Sequence, residues 1–186
     1  MDITTSPLHA GPAAGFDQPF EMLVACHARM EHMLDVLDRL GEHLATHGCD
    51  AQARSAAADI LRYFDVAAPL HHQDEERHVL PRLRELGLAG VAARLRADHQ
   101  VMEHDWARMR PDLQAVADGR LQAQQLPAAR QRWTLYSTLY RRHLAAEEVH
   151  AFPPASAGLS AEQQRAMGED MARRRGAPYP AADGAP

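Results

Sequence analysis

The chain has 186 residues, of which 46% are hydrophobic and 24% charged, the balance of one soluble globular domain with a substantial core. Its net charge of −5 and pI near 6.2 argue against a general nucleic-acid binder. No apolar run reaches the roughly 18 residues expected of a membrane span, and the N-terminus lacks the basic and apolar regions of a signal peptide. All 20 basic residues are arginine, a genomic bias rather than chemistry. Cys26 and Cys49 form no CxxC pair, so reduced thiols in a cytoplasmic protein are expected.

Residues 1–17 read as an irregular arm. A helix is predicted from Pro19 to His47, with the inward seam Phe20, Leu23, His27, Met30, Leu34, Leu37, Gly41 and Leu44. Gly48 stops it and Asp50 caps the next helix, predicted from Ala51 to Leu80. That second seam is Leu61, Phe64, Ala68, His71, Glu75 and His78, with Pro69 expected to kink the helix or open one turn. Pro81 and Gly87 punctuate the connection. The third helix, Ala89 to Asp118, carries Leu95, His99, Met102, Trp106, Met109, Leu113 and Val116 inward. The fourth, Pro127 to Ala151, carries Trp133, Tyr136, Tyr140, His143, Glu147 and His150, and Pro153-Pro154 ends it. A short last helix, Ala161 to Arg175, follows a Ser160…Gln163 capping box. Its Arg173-Arg174-Arg175 end reads as solvated, and residues 176–186 as a disordered tail. The expected fold is all-α: an up-down-up-down four-helix bundle over 18–155, with the extra C-terminal helix within 156–175.

The chemistry lies in an internal repeat. Residues 71–81, His-His-Gln-Asp-Glu-Glu-Arg-His-Val-Leu-Pro, return 72 positions later as His-Leu-Ala-Ala-Glu-Glu-Val-His-Ala-Phe-Pro. The same shift lays His27, Met30, Glu31 and His32 onto His99, Met102, Glu103 and His104. His27 and His99 lie about nine residues after their helix starts, and His71 and His143 about nine before their ends, so antiparallel packing brings all four to one layer, roughly 14 Å from one end of the bundle. Glu75 and Glu147, each four residues after a His, share its face. Nitrogen and carboxylate donors in that mixture suit iron, manganese or zinc, and two carboxylates able to bridge suit two ions better than one.

These residues, with His-x-x-x-Glu-Glu followed by Pro on helices two and four, resemble the haemerythrin-like (HHE cation-binding) family over roughly residues 18–155. Leu23-Val24-Ala25-Cys26-His27-Ala28-Arg29, Arg62-Tyr63-Phe64-Asp65 and His71-His72 look like an uncharacterised bacterial branch of it. The resemblance implies two non-haem iron ions, oxo- or hydroxo-bridged, with His27, His71, His99 and His143 as terminal ligands and Glu75 and Glu147 bridging. Oxygen-carrying members have a second His four residues after the one on helix three, and Glu103 stands there instead. Glu103 is therefore expected as a seventh ligand, with Glu31 in the equivalent place on helix one. A carboxylate at that position stabilises ferric iron and blocks the open coordination position, which disfavours reversible oxygen carriage.

A ferritin-like pattern overlaps the first: Glu31, Glu75-x-x-His78, Glu103 and Glu147-x-x-His150. Antiparallel geometry disfavours it, since Glu31 and Glu75 would stand about 12 Å apart along the bundle. His72, Glu76 and Glu148, one position off the seam, are expected around the ligands rather than among them. His9, His43 and His47 read as surface residues. The expected function is binding or sensing of O2, NO or iron. The alternative is a di-iron enzyme acting on peroxide or NO, a ferroxidase, or a repair protein for iron centres. Whether the chain forms a homodimer, and which protein partner reads its state, the sequence leaves open.

Overall fold

Four long helices make up most of residues 14–180, the part of the chain described by the computed structural model. They are α1, Pro19–His47; α2, residues 51–85; α3, Ala89–Ala117; and α4, Leu126–His150. Two short helices follow, α5, Phe152–Ser156, and α6, Ala161–Arg174. Among the described residues there is no strand. Residues 1–13 and 181–186, which hold His9 and much of the expected arm and tail, lie outside them. Short links turn each long helix back along its predecessor. α1 packs on α2 and α4, and α3 packs on the same two, so the four stand in a ring as the seam pattern requires.

Local signals act where they were read. Asp50 caps α2 by accepting from the Ala53 amide at 2.8 Å. Ser160 and Gln163 form a reciprocal capping box at the start of α6. The second helix departs from expectation. It runs past Pro81 to residue 85 because it contains two π-helical turns, Tyr63–Ala67 and Glu75–Val79. The Ala68 amide bonds back to the Tyr63 carbonyl, and the Leu80 amide to the Glu75 carbonyl, each five residues earlier. Pro69 and Pro81 come directly after these two amides. Each proline lacks an N–H and its ring crowds the carbonyl four residues back, and a widened turn relieves both. One of these turns begins at Glu75.

The buried residues divide into two apolar clusters. One includes Met30, Leu34, Phe64, Met102, Trp133 and Tyr140. The other includes Leu23, Val79, Leu83, Leu95, Phe152 and Met171. Along α1 the order is Leu23, His27, Met30, and along α3 it is Leu95, His99, Met102, so the histidine layer lies between the clusters. Met167 and Met171 of α6 join the second cluster and close that end of the bundle.

Two surface expectations are corrected. Arg174 and Arg175 are not a solvated helix end: they are 11% and 16% exposed and pair with Asp74 of α2, itself fully buried. A buried carboxylate needs a partner, and the last turn of α6 brings two. His43 is also buried, its Nε2 3.0 Å from an Asp50 carboxylate oxygen and its ring stacked on His47.

Candidate metal centre

Six side chains converge in the layer between the apolar clusters. His27 comes from α1, His71 and Glu75 from α2, His99 from α3, and His143 and Glu147 from α4. None is more than 4% exposed. They form two halves that share the carboxylates. In one half, the Nε2 atoms of His27 and His71 are 3.2 Å apart. Glu75 Oε1 is 3.1 Å from His71 Nε2, and Glu147 Oε2 is 3.4 Å from His27 Nε2. In the other, the Nε2 atoms of His99 and His143 are 3.1 Å apart. There Glu75 Oε2 is 3.3 Å from His99 Nε2, and Glu147 Oε1 is 3.0 Å from His143 Nε2. Each carboxylate thus places one oxygen in each half.

All four of these carboxylate oxygens are buried without a hydrogen-bond partner. Two unpaired carboxylates in an apolar layer carry a desolvation cost of several kcal/mol each unless cations answer them. Donors about 2.1 Å from one shared octahedral ion stand about 3 Å apart, the spacing of each imidazole pair. The residues present therefore fit a pair of cations.

The electrostatics agree. Burial lowers the pKa of His27 and His99, but the Glu147 and Glu75 carboxylates outweigh it and raise them to about 9 and about 10. Burial and the Glu75 charge push Glu147 up, yet the three surrounding imidazoles bring it down to about 2. Glu75 is likewise held well below the usual carboxylate range: His71, His27 and His99 overcome its burial. The carboxylates are anions in this fold, and a cation arriving between the imidazoles displaces protons from them.

Around the six stands a second ring of contacts. Glu148 accepts from His27 Nδ1 at 2.9 Å, and Glu76 accepts from His99 Nδ1 at 3.1 Å while Arg96 holds its other oxygen. A proton fixed on Nδ1 leaves Nε2 free for a metal. His72 stacks on His99 with ring centres 4.2 Å apart, and its Nε2 is 2.9 Å from the Tyr140 hydroxyl. Burial, and then the His99 charge, hold the His72 ring well below the usual histidine range. The Cys26 thiol also lies near the layer: burial raises its pKa, but the pull of His71, Arg29 and Arg175 is greater and lowers it.

Two expected carboxylates are not brought in. Glu103 is exposed and lines a cavity beside the layer. Glu31 is 44% exposed and pairs with Arg141 at 3.3 Å. The physical reason is the same in both helices. The inward place one turn beyond the His belongs to Met30 or Met102, and the next residue lies about 100° further round. This also dismantles the ferritin-like pattern, which needs both. Its two histidines lie elsewhere too: His78 pairs with Asp170 at 3.0 Å, and His150 is exposed. Sequence reasoning missed Asp74 and its two arginines, although an acidic residue beside a buried stripe was a signal to seek a partner.

The Hemerythrin HHE cation binding domain matches residues 18–155. The chain belongs to that family. This haemerythrin-family chain is also 29% identical over 164 residues to an uncharacterised protein of Haemophilus influenzae, covering 87% of this chain and 92% of that one. No described helix is long and apolar enough to cross a membrane.

Proposed function

We propose that this haemerythrin-family protein holds two non-haem iron ions and uses them to bind or sense a small diatomic molecule, O2 or NO. The observation that carries the reading is the division of Glu75 and Glu147, each with one unpartnered oxygen in each half of the layer. His27 and His71 would hold one ion and His99 and His143 the other, with both carboxylates shared. Mixed nitrogen and oxygen donors of this kind suit iron. When bound, a pair of ferrous ions supplies electrons and open coordination positions for a diatomic ligand.

The chain's own residues set the conditions. Glu148 and Glu76 hold two imidazoles by their Nδ1 atoms, so both present Nε2 to the layer. Leu23 and Phe152 on one side, and Met30 and Met102 on the other, keep bulk water away. With Glu31 and Glu103 outside, each half has four protein donors, fewer than an octahedral ion accepts, and room for an external ligand remains. The alternative, a di-iron enzyme acting on peroxide or NO, draws support from a cavity of about 200 Å³ against His99, larger than a diatomic molecule requires.

The test is metal content per chain, read with the absorption spectrum as anaerobic ferrous protein meets air. About two irons per chain and a new charge-transfer band are expected. Loss of that band under vacuum indicates reversible gas binding, and a permanent change indicates an enzyme or a sensor. Protein that holds only zinc, or stays colourless after iron loading, overturns the reading.

A further inference from the structure

The 72-residue repeat pairs His27 with His99, His71 with His143, Glu75 with Glu147 and Glu76 with Glu148. It departs at several positions, and two of them matter here. His72 corresponds to Leu144, and Tyr140 corresponds to Ala68. These two departures meet in space, the Tyr140 hydroxyl lying 2.9 Å from His72 Nε2. A cavity of about 200 Å³ opens there, lined by Phe64, His72, His99, Met102, Trp106 and Tyr140 among others. It reaches the layer on the His99 side. On the other side the Phe152 ring covers His27 with centres 5.0 Å apart, and the surface hollow beyond Phe152 does not reach that imidazole. Among the described residues the two halves of the centre are alike in ligands, and this cavity meets the His99 half.

We propose that this cavity binds an uncharged small molecule with a hydroxyl or hydroperoxide end and a short apolar body, and presents it to the His99–His143 half. The assignment to a half of the centre rests on the metal reading above; the cavity itself does not. Its floor offers one polar pair, Tyr140 and His72, and its walls are the apolar faces of Phe64, Met102 and Trp106. The volume is nearly seven times the roughly 30 Å³ share of one water, enough for a four-carbon alcohol. Glu76 and the exposed Glu103 stand at the lining, so an anion meets like charge there. The Glu103 carboxylate, absent from the ligand set, selects what comes in.

The experiment uses the metal-free protein, so its failure and the failure of the di-iron reading are separable. The probes are tert-butanol and pivalate, the same apolar body with a neutral or an anionic end. Both are titrated while the Met102 methyl and the His27 and His99 ring resonances are followed by NMR. Tert-butanol should shift Met102 and His99 saturably and leave His27 in place, and pivalate should bind at least about tenfold more weakly. His72→Leu, which installs the residue found at position 144, should weaken tert-butanol by about fivefold, the effect of one lost hydrogen bond. Gln73→Trp, made from an exposed lining position, should close the cavity and abolish the shifts, with unchanged Met167 and Met171 methyls reporting an intact fold. Absence of saturation, equal binding of pivalate, equal shifts at His27, or binding that survives Gln73→Trp would each overturn the proposal.

Discussion

Asp74 and Glu75 are consecutive, both fully buried, and serve opposite ends of the same problem. Glu75 faces the four imidazoles, and Asp74 receives Arg174 and Arg175 from the last helix. The helix that closes the bundle is thereby fastened one residue away from a shared carboxylate. Asp74→Ala leaves Arg175 without its carboxylate and Arg174 with Asp170 alone, and breaking a buried pair in this way costs about 3 kcal/mol or more. The expected outcome is a lower thermal midpoint and early release of α6, seen as proteolysis within residues 156–175. A midpoint unchanged from the parent would show that the pair does not hold the helix.

Glu76 and Glu148 touch the layer only through His99 and His27. Replacing either by Gln keeps the size but removes the charge that fixes the Nδ1 proton. Metal affinity should fall by about 10- to 100-fold in each case, while the fold persists. Competition with a chelator of known affinity measures this. Glu148 is 47% exposed and Glu76 26% exposed, so the loss should be the smaller for Glu148→Gln, where water more readily replaces the carboxylate.

The contact between α6 and α2 should be sensitive to acid. Burial raises the Asp170 pKa, but His78 and Arg174 outweigh it and hold it below the usual carboxylate value. Arg77 and Arg173 also face this carboxylate. A group with a depressed folded pKa contributes stability above its unfolded pKa of about 4, and that stability is lost as pH falls through the folded value. In metal-free protein the difference in thermal midpoint between the parent and Asp170→Asn should be constant near neutrality and shrink below about pH 4. A difference that stays constant into the acid range would remove Asp170 from the account.

Much of the centre was legible in the chain because helical periodicity is a short-range property. A His in an apolar seam, a Glu four residues on, and a repeat at constant spacing define which faces turn inward before any packing is known. The six ligand candidates follow from that rule, and the structure brings all six together. Glu103 shows its limit. Its place in the repeat made it look equivalent to a ligand, but Met102 occupies the inward position and turns it outward. The end of α2 at Leu80 failed for another local reason, since a π-helical turn lets a helix pass Pro81.

The sequence by itself determined the bundle, its chain order and the His/Glu layer, since spacing along a helix and direction of travel are enough to set the height of a side chain. Only the tertiary structure decided which oxygen belongs to which half, that Asp74 meets Arg174 and Arg175 a hundred residues away, and that His72 and Tyr140 open one side of the layer. Those facts depend on rotation about helix axes and on contacts between distant segments. A linear pattern states the height of a side chain in the bundle, but not the neighbour it meets there.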